Sequence, residues 1–151
     1  MKINSDFRDL LCEFNAAEVR YLVVGAYAVF IHAQPRYTKD LDVWAEATDE
    51  NGPRVFQALT KFGAALSQVT ALDFSRPGIT FQMGVEPNRI DVLTQISSVS
   101  FDEAWPDRIE STYGDQRLWV LGRTQLLQNK RAVGRPQDLL DIEKIERSKK
   151  P

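Results

Sequence analysis

Cysteine is all but absent from this chain. Cys12 is the only one, which excludes an intrachain disulfide and any multi-cysteine metal site and makes a reducing, cytoplasmic setting the expectation. Histidine is as scarce: beyond His32 there is none to orient a nucleophile. No run approaches the roughly 18 apolar residues that a membrane span needs. Neither sign of charge dominates, since the formal net charge is −2 and the pI about 5.5, so no global positive field favours nucleic acid. Internal repeats and low-complexity tracts are missing too. The opening MKINSDFRDLLCEF carries acids within its apolar part, which does not read as a secretory signal.

What is present is 151 residues, 43% of them hydrophobic, enough for one domain with a real core and too few for two comfortable ones. A single domain over residues 1–151 is expected, with a frayed basic end from Arg147 to Pro151. Ser5 is a candidate cap for a helix in which Phe7, Leu10, Leu11 and Phe14 follow helical spacing. Thr48 is placed to cap a second, Glu50 to Phe62, ended by Gly63. Three strands are expected between Leu66 and Thr94, at Gln68–Leu72, Ile79–Met83 and Ile90–Leu93, with turns at Ser75–Gly78 and Glu86–Asn88. Turns this short pair consecutive strands antiparallel. A short helix over Phe101–Trp105 and an extended segment over Arg117–Leu121 follow. A helix over Arg123–Ala132 is broken at Gly134, and Pro136 opens a closing helix through Glu146 with Leu139, Ile142 and Ile145 as its buried stripe.

The stretch YLVVGAYAVFIHAQPRYTKDLD, Tyr21 to Asp42, organises the rest. It reads as a strand over Tyr21–Val24, a turn at Gly25, a helix over Ala26–Ala33, a basic loop, and a second strand opening with Asp40-Leu41-Asp42. Alternation along a strand puts Asp40 and Asp42 on one side. Two such charges about 4 Å apart repel by roughly 4 kcal/mol at an effective dielectric near 20, so a cation sits between them or one keeps its proton. In RIDVL, Ile90 and Val92 share one face, which turns Asp91, and Arg89 with it, to the other. Carboxylates from Asp-x-Asp and from a later strand are what a two-metal phosphoryl site requires. A helix start after Gly25 offers backbone amides to a triphosphate, and Arg36 and Lys39 are placed to neutralise phosphate.

These residues, VVGAYAVFIHAQPRYTKDLDV, RIDVLT and LLQNKRAVGRPQDLLDIEKI, resemble the DNA polymerase beta-like nucleotidyltransferase superfamily, and in particular its small bacterial abortive-infection and minimal nucleotidyltransferase members. The resemblance spans nearly the whole chain. It implies a mixed α/β fold with a mostly antiparallel twisted sheet and helices mainly on one face. It further implies metal binding by Asp40, Asp42 and Asp91, two Mg2+ ions with Mn2+ as substitute, and transfer of a nucleoside monophosphate from an NTP to a hydroxyl. Asp91 would also help deprotonate that acceptor, whether protein, RNA or small molecule. Nucleotide contacts are expected from Gly25, Ala26, Arg36, Thr38, Lys39, Lys130 and Arg135. The family's Gly-Ser or Gly-Gly pair is Gly25-Ala26 here, so a side-chain hydroxyl is missing from the phosphate turn.

Two rivals share the residues: a catalytically inactive, antitoxin-like binding protein that meets a partner protein, and a metal-dependent phosphodiesterase or nuclease. For single residues the plain readings are packing for His32, core or half-buried positions for Trp44, Trp105 and Trp119, and an inert helix position for Cys12. A solvated basic turn is the plain reading of Lys130 and Arg135, and a solvated loop that of Arg36, Thr38 and Lys39.

Overall fold

A computed structural model describes residues 2–33 and 38–148. The first helix, α1 (Ser5–Ala16), begins one residue earlier than a Ser5 cap requires. Asn4 is the cap, its Oδ1 accepting from the backbone N–H of Asp6 at 2.9 Å and Phe7 at 3.2 Å, which satisfies two amides that a helix start leaves open. Phe7, Leu10, Leu11 and Phe14 form the buried stripe. It packs against α3 (Asn51–Phe62), whose Val55, Ala58 and Leu59 face inward. Each large apolar side chain buried this way contributes roughly 1.5–3 kcal/mol.

Between these helices the chain lays down β1 (Tyr21–Val24), α2 (Gly25–His32) and β2 (Asp40–Ala45). After α3 come β3 (Thr80–Met83), β4 (Arg89–Leu93), α4 (Phe101–Ala104), β5 (Ile109–Tyr113), β6 (Gln116–Val120), α5 (Arg123–Val133) and α6 (Pro136–Arg147). The six strands form one mixed sheet in the order β3-β4-β2-β1-β6-β5. β1–β2, β3–β4 and β5–β6 are antiparallel, whereas β2–β4 and β1–β6 are parallel. The parallel β2–β4 pair follows from its connection: α3, a loop and β3 give the long crossover that parallel neighbours need. β4 is thus antiparallel to β3, as its short turn requires, and parallel to the Asp-x-Asp strand.

Two expected elements differ. Gln68–Leu72 is not a strand but part of a run of turns leading into a 3-10 turn at Asp73–Ser75, where Asp73 Oδ2 accepts from Thr70 N–H at 2.8 Å. Local capping by a Thr/Asp pair outcompetes the ladder there. β5, which no expectation covered, alternates half-buried and exposed residues at the sheet edge and turns into β6 through Gly114, whose φ of +60° a β-carbon would disfavour. Asn51 locks α3 to the sheet: its side chain accepts from Arg20 N–H and donates to the carbonyls of Arg20 and Glu46. Among the described residues, no helix is long and apolar enough to cross a membrane.

Candidate functional site

The carboxylates meet where β2 lies beside β4. In the register of that pair Asp42 stands opposite Asp91 and Asp40 opposite Arg89. Opposed residues on neighbouring strands point to the same side of a sheet, so all four side chains share one face. Asp91 is buried at 7% exposure, while Asp40 and Asp42 are half-buried.

Gly25 closes this site from behind. It ends β1, opens α2 with φ +69°, and a β-carbon built on it would lie 2.2 Å from Asp42 Oδ2. Only a residue without a side chain lets that backbone touch the carboxylate. The start of α2 has no side-chain cap, so its first amides, Ala26 included, are available to an anion in the way helix starts generally are.

The charges here are not balanced. Burial, and after it the charges of Asp91 and Asp40, push the Asp42 carboxyl up to about 7, against a smaller lowering by Arg89. Arg89 supplies the local cation: its Nη2 lies 3.1 Å from Asp91 Oδ2 and its Nε 3.7 Å from Asp40 Oδ1. Even so, Asp40 Oδ1, Asp91 Oδ1 and Arg89 Nε are buried without a hydrogen bond, a costly condition for charged groups. This donor set of hard carboxylate oxygens, two of them orphaned, suits a divalent cation such as Mg2+. Among the described residues no three His, Cys, Asp or Glu side chains are already gathered around one metal position; Arg89 reaches between the acids instead.

A cleft of about 520 Å3 opens in front of Asp42 and Gly25, with Thr80 and Leu93 along one wall and Asn129, Lys130 and Arg135 on the other. The second wall is the α5–α6 hairpin, bent at Gly134, which has φ +67°. Lys130 is not part of a solvated turn. It is buried at 5% exposure, with Nζ 3.2 Å from Asp138 Oδ1 and 3.0 Å from Asp141 Oδ2. Arg135 donates from Nε to Asp138 Oδ2 at 2.7 Å while its side chain stays 71% exposed at the cleft rim. The guanidinium and the Lys130 ammonium together hold the Asp138 carboxyl down at about 2.

The sequence reading missed Asp138 and Asp141 as site residues, and it placed Leu139 in the core, where α6 in fact exposes it at 58%. The buried face of α6 is Asp138, Asp141, Ile142 and Ile145. Those four stand at i, i+3, i+4 and i+7, the spacing of one helix face, so the signal was in the sequence but was masked by assigning the inward stripe to apolar residues alone. Of the other expected positions, Thr38 is half-buried and Lys39 is exposed and lies 3.6 Å from Glu86, while Arg36 falls outside the described residues. His32 is fully buried, its Nε2–H donating to Leu121 O at 2.7 Å, which agrees with packing. Trp44 is buried, and Trp105 and Trp119 are half-buried against the core.

The same architecture occurs in solved nucleotidyltransferases. The lincomycin-bound lincosamide antibiotic adenylyltransferase LnuA superimposes with a TM-score of 0.61 at 16% identity, covering 95% of this chain and 96% of that one. A putative nucleotidyltransferase from Thermotoga maritima gives 0.61 at 11% identity, covering 95% and 94%. The antibiotic-resistance factor ANT(2'')-Ia gives 0.56 at 11%, covering 94% and 80%. At such identities the likeness establishes the fold. No curated protein matches the sequence. The model of the family described as "Nucleotidyltransferase of unknown function (DUF6036)" matches residues 1–149, and the chain belongs to that nucleotidyltransferase family.

Proposed function

We propose that this protein transfers a nucleoside monophosphate from an NTP to the hydroxyl of a small-molecule acceptor, releasing pyrophosphate. The observation that carries this reading is that Asp40, Asp42 and Asp91 share one sheet face, with the Gly25 backbone close against Asp42. Asp40, Asp42 and Asp91 would hold Mg2+, or Mn2+ in its place; when bound, two such ions supply charge stabilisation for the transferring phosphoryl group and a lowered pKa for the attacking hydroxyl. Asp91 would help take that hydroxyl's proton.

Phosphate contacts are assigned to the amides of Gly25 and Ala26 and to the cationic wall of the cleft, Arg135 at the rim and Lys130 behind it. Lys39 and Thr38 approach from the β2 side, with Arg36 in the preceding segment. With alanine at residue 26, backbone donors and these cations replace a hydroxyl contact. A cleft of about 520 Å3 falls within the roughly 300–1,000 Å3 of small-ligand sites. The fold neighbours LnuA and ANT(2'')-Ia, an antibiotic adenylyltransferase and an antibiotic-resistance factor, support a small-molecule acceptor over protein or RNA. A defence or toxin–antitoxin setting rests on the sequence resemblance.

The test is incubation with each α-labelled NTP, Mg2+ and panels of hydroxyl-bearing acceptors, read as labelled product and pyrophosphate. Wild type should transfer and Asp42→Ala should not. Metal and nucleotide binding equally poor in both would sink the enzymatic reading. One observation favours a second reading, an antitoxin-like binding protein without catalysis: Arg89 spans the acids that would hold metal. Co-purification of a partner protein, unaffected by Asp40→Ala, would establish it.

A further inference from the structure

Arg89 stands in an unusual place. It enters the carboxylate face from the strand position directly opposite Asp40 and two residues before Asp91, so the backbone register delivers a guanidinium between two groups that otherwise repel. Its contact with Asp91 is a true hydrogen bond at 3.1 Å, but its approach to Asp40 stops at 3.7 Å with neither Nε nor Asp40 Oδ1 hydrogen-bonded. A guanidinium prefers two parallel donations to one carboxylate. Stretched across two acids, it satisfies neither fully and leaves a buried donor and two buried acceptors unpaired. The buried Lys130 is not left this way, since it meets two carboxylates at 3.2 and 3.0 Å; Arg20 Nε, 3.3 Å from Glu46, also lacks a hydrogen bond, but it faces one acid and leaves no carboxylate oxygen orphaned.

A compromise of this kind persists when the group can serve in a second state. We propose that Arg89 is a resident counter-ion that bridges Asp40 and Asp91 in the metal-free protein and is displaced when a divalent cation takes those oxygens. The inference rests on the metal-dependent reading of the site and adds what that reading lacks, the reason that among the described residues no three acids are gathered around a metal position. Arg89 and the cation compete for Asp40 and Asp91, so the metal-competent form is only a fraction of the free protein and apparent metal affinity falls by that fraction. The side chain is about one-third exposed, at 34%, so it has an open path out. The released guanidinium needs a new anion, and the triphosphate is the one the reaction brings to this face.

The experiment is a Mn2+ titration followed by electron paramagnetic resonance, without nucleotide, on wild type, Arg89→Gln and Arg89→Lys, each checked for folding by circular dichroism. Arg89→Gln should bind Mn2+ on the order of tenfold more tightly than wild type, because the competing state is gone. Arg89→Lys, which keeps the charge but not the fork, should fall between. In parallel, the Arg89 Nη2–H of wild type, which donates to Asp91 and is identified by its loss in Arg89→Lys, should be protected from solvent exchange without metal and lose that protection on adding Mg2+. If Arg89→Gln binds Mn2+ no tighter than wild type, or the Nη2–H stays protected at saturating Mg2+, displacement is wrong while the metal-dependent reading stands. If wild type binds no Mn2+ even with a non-hydrolysable NTP analogue present, that reading falls and takes the inference with it.

Discussion

Two clusters of charge meet at one cleft, which Asp42 lines from one side and Lys130, Arg135 and Asp138 from the other, and they are built to opposite standards. On the α5–α6 wall, Lys130 and Arg135 form a set closed by ion pairs with Asp138 and Asp141, at distances among these residues of 2.7 to 3.2 Å. On the sheet wall, Asp40, Asp42 and Asp91 outnumber Arg89, three of the atoms are orphaned, and one carboxyl is forced toward neutrality. A satisfied buried cluster fixes geometry. An unsatisfied one stores a demand that a ligand meets, which is the pattern of a working site. The first cluster therefore reads as the frame that holds the cleft, and in the proposed function the second is where the chemistry would take place.

The sharpest way to break this contrast is to open the closed set. Lys130→Ala leaves Asp138 and Asp141 buried without their shared ammonium, and removal of one partner from a buried pair costs about 3–5 kcal/mol. Urea unfolding should show that loss or no folded protein at all. A cost below about 1 kcal/mol would mean that water already solvates the acids and that the wall is not a frame. In the unsatisfied cluster the outcome should invert. Asp42→Asn should reduce transfer on the order of 10²–10³-fold, as loss of a group stabilising transition-state charge does. Yet the metal-free protein at pH 8 should gain roughly 1–3 kcal/mol, because a desolvated charge beside two others has been removed. Loss of both stability and activity would erase the distinction between the clusters.

Gly25→Ala probes the contact between backbone and carboxylate. Its methyl would sit 2.2 Å from Asp42 Oδ2 at a φ of +69°, so strain and displacement of Asp42 come together. A destabilisation of about 1–3 kcal/mol is expected, with a larger fractional loss of transfer than of melting temperature.

How much of this was legible beforehand divides along the same line. The sheet wall was readable in part, because strand alternation is local: Asp40 and Asp42 could be placed on one side from their spacing and Asp91 on the side away from Ile90 and Val92, and β1 falls at Tyr21–Val24 and β2 opens at Asp40 as expected. Opposition of Asp42 and Asp91 in a parallel pair was not readable, since it depends on how the α3 crossover returns the chain. The helical wall was misread where polarity was equated with exposure. Asp138 and Asp141 pass for first-turn acids that favour the helix dipole, whereas Lys130, eight residues upstream of Asp138 and around the Gly134 bend, pairs with both and Arg135 pairs with Asp138, which offsets the cost of burying them. Leu139 was drawn inward by its hydrophobicity, although α6 spends its inner face on those acids. β5 was missed because its Glu110 and Thr112 alternate outward in too short a run, with the Gly114-Asp115 turn as the available signal.

The pH dependence is the most direct comparison, because the two clusters should pull metal-free stability in opposite directions as pH changes. Asp138 sits at about 2 when folded, below its ordinary 3.8. Its contribution is complete above the unfolded value and is lost as pH falls from about 4 through 2. Asp42 sits at about 7, above the same 3.8. Below pH 4 it is protonated in both states and costs nothing; as pH rises toward 7 the unfolded chain sheds its proton first, so folding stability declines, and above 7 the loss is complete. Thermal melts from pH 2 to 8 should therefore rise on the acid side and sag on the neutral side. Asp42→Asn should flatten the neutral limb alone, leaving the acid limb to Asp138 and the other ion-paired acids. Millimolar Mg2+ should flatten the same limb in wild type by stabilising the ionised trio. An Asp42→Asn melt that still sags between pH 4 and 7 by the wild-type amount would show that Asp42 is solvated like any surface acid, and the asymmetry between the walls would vanish with it.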